Sequence, residues 1–128
     1  MASNVEIVER ILDHWRKLEA IPPELLQDDV EFVNAPDAIE PGTRHGQTEF
    51  REAISAFGRA YSSLEIEVER LAEAGEGVGV IAALRLTGRG SGIEFPERMG
   101  WLFTFREGRL ARFEWSRDPE RLLASMEG

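Results

Sequence analysis

Three polar side chains stand in sequence surroundings where acid, base or hydrogen-bond chemistry is feasible: Asn34, Glu97 and His14. Asn34 ends the alternating run VEFVN. A buried carboxamide must be hydrogen-bonded, so on a pocket wall it would orient water or substrate; at a strand end it would instead cap the next loop. Glu97 follows Pro96, two residues before Met99 and four before Trp101. Burial among such neighbours favours the protonated carboxyl and suits it to general acid or base work, whereas at a wet rim it is an ordinary surface charge. His14 lies on the flank of an apolar stripe, either as a proton carrier facing the interior or as a partly buried structural side chain.

Around these candidates the aromatic and soft apolar residues Trp15, Phe32, Phe57, Met99, Trp101, Phe103, Phe113 and Trp115 are expected to form a ligand-contacting wall. Large aromatics in a small domain are usually core, and pocket walls of this kind are built from core side chains, so the two roles overlap. Lys17 is the single lysine and falls opposite the apolar stripe, where a solvated amine is a poor nucleophile. No metal site is expected, because the two histidines, His14 and His45, are far apart and no HExxH occurs. His45 belongs to a helix entrance. The glycines of GRGSG, 88–92, are hairpin residues, since no helix follows to supply a phosphate-binding dipole. No cofactor is implied.

The elements that position these residues follow from periodicity. Ser3 and Glu6 have capping-box spacing, and Ile7, Val8, Ile11, Leu12, Trp15 and Leu18 recur as one helical face. Pro23 starts a short helical turn through Leu25 and Leu26, and a strand is expected over Val30 to Asn34. Ala35 to His45, with Pro36, Pro41 and Gly42, reads as a loop. Gly46 opens a second helix whose buried face is Phe50, Ile54, Phe57 and Tyr61. Leu64, Ile66 and Val68 alternate with glutamates as a half-buried strand. Turns at 75–77, 88–92 and 107–108 then mark strands over 78–87, 94–106 and 109–116, an antiparallel meander. Asp118 and Pro119 cap a short last helix containing Leu122, Leu123 and Met126.

Alternation sorts the strand residues into two faces. The helix-facing set is Phe32 and Asn34; Leu64, Ile66 and Val68; Val80, Ala82, Leu84 and Leu86; Glu97, Met99, Trp101, Phe103 and Phe105; Ala111, Phe113 and Trp115. The other face carries Ile81, Ala83, Arg85, Gly100, Leu102, Thr104, Leu110, Arg112 and Glu114, a mixture that suits a homodimer through the outer sheet face.

Composition bounds the class. A chain of 128 residues, 42% apolar and 30% charged, fits one globular domain over 1–128. A net charge of -9 opposes nucleic-acid binding. The lack of cysteine removes thiol chemistry and disulfides, and neither an export leader nor a membrane-length apolar run is evident, so no membrane partner and a cytoplasmic location are expected.

The order of these elements, with EIVERILDHW at the start, DDVEF at 28–32, RHG at 44–46 leading to FREAI, and FREGRLARFEWSRD near the end, resembles the SnoaL-like, ketosteroid-isomerase-related branch of the nuclear-transport-factor-two-like superfamily. The resemblance implies a cone-shaped α+β barrel, with long helices on the concave face of a curved, mainly antiparallel sheet, a pocket between them, and commonly a dimer. It implies no single activity, since the fold carries isomerases, dehydratases, cyclases, epoxide hydrolases and binding modules. Where steroid isomerases carry a carboxylate base and an oxyanion-binding tyrosine, this chain has Asn34 and Ile11, and their second, protonated carboxyl falls near Trp101. Phe32 and Asn34 occupy the pattern of an aromatic and an Asn that position water in limonene-epoxide-hydrolase-like members, with Phe in place of the expected tyrosine hydroxyl, but the water-activating Asp, Arg, Asp set falls near Ala82, Val80 and Trp115. The acid/base Asp of polyketide cyclases also falls near Trp115. The resemblance therefore leaves two readings: a small apolar or aromatic molecule bound in an internal pocket, with or without cofactor-free acid/base chemistry, and a non-catalytic binding or dimeric scaffold domain.

Overall fold

The computed structural model describes residues 2–36, 38 and 42–127. Helix α1 (Asn4–Arg16) starts at the expected capping box: the Ser3 hydroxyl accepts from the Glu6 amide at 3.1 Å, and the Glu6 carboxylate accepts from the Ser3 amide at 3.4 Å. Ser3→Ala should cost about 1 kcal/mol of stability, read as a lower urea midpoint with unchanged slope. A change indistinguishable from zero would show that this helix end does not limit unfolding.

Ile7, Val8, Ile11, Leu12 and Trp15 are buried as the stripe requires. Leu18, expected on the same stripe, lies beyond the helix in the left-handed region at φ 57°. Its amide donates to the Trp15 carbonyl at 2.9 Å, and the Glu19 amide donates to the His14 carbonyl at 2.8 Å. This paired closure ends the helix, with leucine in the position glycine usually takes.

A short turn at Pro23–Leu25 leads into β1 (Leu26–Asn34), which starts four residues earlier than alternation suggests. The expected loop also contains a strand, β2 (Gly42–His45), antiparallel to β1 with Phe32 opposite Arg44. Four residues are too few for periodicity to register, and the pairing comes from β1's exposed edge. Of the same loop, Ala35 and Ala38 form a turn, and residues 37 and 39–41 lie outside the described residues.

Gly46, at φ 88°, swings the chain from β2 into α2 (Gly46–Ala60), with His45 as its cap residue. Then come β3 (Tyr61–Ala74), β4 (Gly77–Gly88), β5 (Glu94–Arg106), β6 (Arg109–Ser116) and α3 (Pro119–Glu127). The strands form one open sheet in the order β2-β1-β6-β5-β4-β3, parallel only between β1 and β6. The Glu107–Gly108 turn has both residues at positive φ, 53° and 77°, the twist a two-residue hairpin needs.

Alternation fails where strands bulge. Thr104 pairs with Arg112 but Phe105 pairs with Leu110, which leaves Ala111 as an extra residue. Leu110, expected on the outer face, is therefore turned into the main core, fully buried, and Ala111 is displaced from the inner register. Val68, expected inside, is half-exposed, because β3 is the sheet edge and bulges after it.

The outer face has a cover of its own. Helix α3 packs on β4 and β5: a Cβ added at Gly100 would lie 2.6 Å from Pro119 Cα, and one at Gly79 would lie 2.8 Å from Leu123 Cγ. Ile81, Leu102 and Leu123 are buried outside the main core, on this side. The Arg98 guanidinium ties the layer together, meeting Glu120 of α3 at 2.7 Å and Glu69 of β3 at 3.1 Å, and holds the Glu120 carboxyl below its usual pKa. Much of the apolar character that suggested a dimer is thus covered by the chain itself. Among the described residues no helix is long and apolar enough to cross a membrane.

Candidate functional site

Helix α2 does not lie flat on the sheet. Phe50, near its start, is fully buried against Phe32 and Phe113, with ring centroids 5.6 and 6.4 Å away. Two turns on, Phe57 is 36% exposed and rests on Tyr61, at 4.9 Å, rather than on the core. The single buried face expected over Phe50, Ile54, Phe57 and Tyr61 is therefore broken: Ile54 is half-buried, and Tyr61 has already left the helix to begin β3. The reason is in the sequence of the second half, AISAFGRA. Ala53, Ser55, Ala56 and Gly58 lack the bulk to fill the space down to the sheet, so a void remains.

That void is a cavity of about 750 Å³. Ala53, Ile54 and Phe57 roof it from α2, and Leu64, Leu84 and Leu86 floor it from β3 and β4. Trp15 from α1, Phe32 from β1, Met99 and Trp101 from β5, and Phe113 and Trp115 from β6 complete an aromatic wall. Trp15 sets the packing, with Trp101 and Phe113 at 5.2 and 5.4 Å, both rings at 77° to the indole. Of the expected wall, Phe103 alone is not at the cavity: it is fully buried behind Trp15 and Phe113, 5.9 and 5.1 Å away.

The polar groups converge on Trp115. Its Nε1 donates to Asn34 Oδ1 at 3.0 Å. An indole N–H can only donate, so this bond fixes the amide orientation and leaves the Asn34 NH₂ as the group without a partner among the described residues. The Arg117 guanidinium stacks over the Trp115 ring at 5.2 Å, and its Nε lies 3.5 Å from Glu97 Oε1. Glu97 is 28% exposed on its side chain, at the rim rather than in the depth of the cavity. His14 is not at the cavity; its Nδ1 pairs with Glu19 at 3.1 Å, near the end of α1. His45 pairs across strands with Glu31 at 3.3 Å. Among the described residues no three His, Asp or Glu side chains converge as a metal ion would need.

Sequence reasoning missed the arginines at the cavity (Arg44, Arg59, Arg89 and Arg117) and Leu18 at its edge. Periodicity assigns none of the arginines to an inner face, because they come from strand ends, a helix end and a hairpin, and it put Leu18 on the buried stripe of α1 and not at a pocket. The available signal was the run of small residues in α2.

A model of the SnoaL-like domain matches residues 8–113. Among curated proteins none matches the sequence. A solved protein from Jannaschia sp. CCS1, named for its likeness to SnoaL-like polyketide cyclases, is 18% identical with a TM-score of 0.79, over 98% of this chain and 92% of that one. An NTF2-like protein of unknown function from Burkholderia pseudomallei K96243 is 20% identical with a TM-score of 0.78, over the full length of both. TerC, co-crystallised with polyporic acid, is 18% identical with a TM-score of 0.74, over 98% of each chain. Likeness at this level of identity carries the fold and no activity.

Proposed function

We propose, from the premise that this chain belongs to the SnoaL-like domain family, that it binds a small aromatic molecule in the cavity between α2 and the sheet. The observation that carries this reading is the cavity itself: about 750 Å³, within the roughly 300–1,000 Å³ of small-molecule sites, with apolar walls and few polar groups. A scaffold whose interior is filled by its own aromatics would leave no such space beside Trp101 and Trp115.

Asn34 orients the ligand. Its oxygen is held by Trp115, so the amide offers N–H donors to a carbonyl or hydroxyl oxygen of the guest. A thermal-shift panel of aryl ketones, phenols and quinones tests the reading, with polyporic acid included because TerC was crystallised with it. A ligand at a hundredfold excess over its Kd adds about 2.7 kcal/mol of stability. Silence across the panel would count against a ligand pocket. For any compound that binds, Asn34→Asp keeps an acceptor for Trp115 but replaces the donor, and should weaken binding about tenfold or more. Equal affinity would remove Asn34 from the site.

A second reading, proton transfer in the same cavity, rests on Glu97, whose carboxylate lies at the rim beside Arg117. Glu97→Gln should stop such a reaction while binding persists. Self-association through the outer sheet face would have to use what α3 leaves uncovered, chiefly Arg85, Arg112 and Glu114 with Ala83 and Thr104. That surface is more polar than the whole face.

A further inference from the structure

Resting on the ligand-pocket reading, we propose that the cavity selects aromatic molecules with an anionic head group, an acid in preference to a neutral ketone or an amine. The head is held at the mouth by Arg59, Arg89 and Arg117, and the rings lie against the aromatic wall.

The chain as a whole repels anions, with a net charge of -9. Its cavity has the opposite sign: with Arg44 left aside, three arginines, Arg59, Arg89 and Arg117, stand against two carboxylates, Glu19 and Glu97. Both carboxylates are engaged, Glu19 with His14 at 3.1 Å and Glu97 with Arg117 at 3.5 Å. Arg59 meets no carboxylate among the described residues. Arg89 is held in place: Nε donates to the Arg59 carbonyl at 3.2 Å, Nη2 donates to the Tyr61 carbonyl at 3.1 Å, and its main-chain amide donates to the Ala60 carbonyl at 3.0 Å. These bonds close the C-terminal end of α2, whose dipole offsets roughly half a unit charge, well short of the two cations gathered there. A fixed positive charge beside an apolar cavity focuses the field into it and spares a ligand the cost of ordering the side chain.

The remaining polar group agrees in sign. Asn34 presents N–H donors, its oxygen being held by Trp115, and an acceptor-rich guest complements them. An amine would meet the same arginines with like charge, and the rim carboxylate of Glu97 is already paired with Arg117.

Two fluorescent probes with one ring system separate charge from ring contact: 8-anilino-1-naphthalenesulfonate and its neutral counterpart N-phenyl-1-naphthylamine, titrated against the intact chain. Each should displace the other, and the sulfonate should bind about tenfold tighter at low salt, an advantage that shrinks as salt rises. The double variant Arg59→Gln, Arg117→Gln, at two exposed positions, should remove most of that advantage. Equal affinity for the two probes, or sulfonate binding that fails to displace the neutral probe, would overturn the anionic preference and leave the pocket reading standing. Binding of neither would overturn both.

Discussion

Phe103→Ala should cost about 3–5 kcal/mol of folding free energy, against a total of about 5–15 kcal/mol for a domain of this kind. Phe103 has no exposed surface and stands behind the cavity wall, its ring 5.9 Å from Trp15 and 5.1 Å from Phe113. Truncation forfeits the transfer energy of the ring and leaves a hole that neighbouring indole and phenyl groups are too rigid to fill. Because those neighbours form the wall, the loss should also appear as weaker binding of any pocket ligand at temperatures where the variant remains folded. Urea unfolding monitored by tryptophan fluorescence measures the first effect, and a cost below about 1 kcal/mol would mean that the aromatic cluster repacks freely, contrary to a close-packed interior.

Gly100→Ala should be the most disruptive single-methyl change on the outer face. The added carbon would lie 2.6 Å from Pro119 Cα and 2.9 Å from its Cβ, so either α3 lifts or the sheet deforms. Overpacking of this kind costs about 1–3 kcal/mol. Hydrogen exchange should show α3 opening first, with the main core keeping its protection. Gly58→Ala serves as the control within the same experiment: nothing lies within 4 Å of its added carbon, so the helix gains about 0.5–1 kcal/mol from the better propensity of alanine. If Gly100→Ala left stability unchanged or raised it as Gly58→Ala should, the close seating of α3 on Gly100 would be wrong.

Most of the elements are legible in the sequence, because the signals that define them are local. The capping box at Ser3 and Glu6, the alternation of Leu64 and Ile66 with glutamates, the two-residue turn at Glu107 and Gly108, and the Asp118–Pro119 start of α3 each depend on residues within a few positions of one another. The strands 94–106 and 109–116 fall where turn chemistry puts them. Strand β2 escapes because four residues carry no period, and Leu110 is misplaced because a one-residue bulge reverses everything beyond it without leaving a mark on the hydrophobic pattern.

The site divides along the same line. Sequence alone determined which residues are aromatic, that Asn34 ends a strand, and that Glu97 shares a strand with Met99 and Trp101. Tertiary structure decided the rest: that α2 stands off the sheet to open a cavity, that His14 turns to Glu19, that Phe103 backs the wall instead of lining it, and that arginines from four separate places in the chain line one cavity. Periodicity reports which face of an element is apolar. The distance between two faces depends on side-chain volumes brought together from remote parts of the chain, and the sign of a cavity depends on the ends and hairpins that surround it, where no period exists.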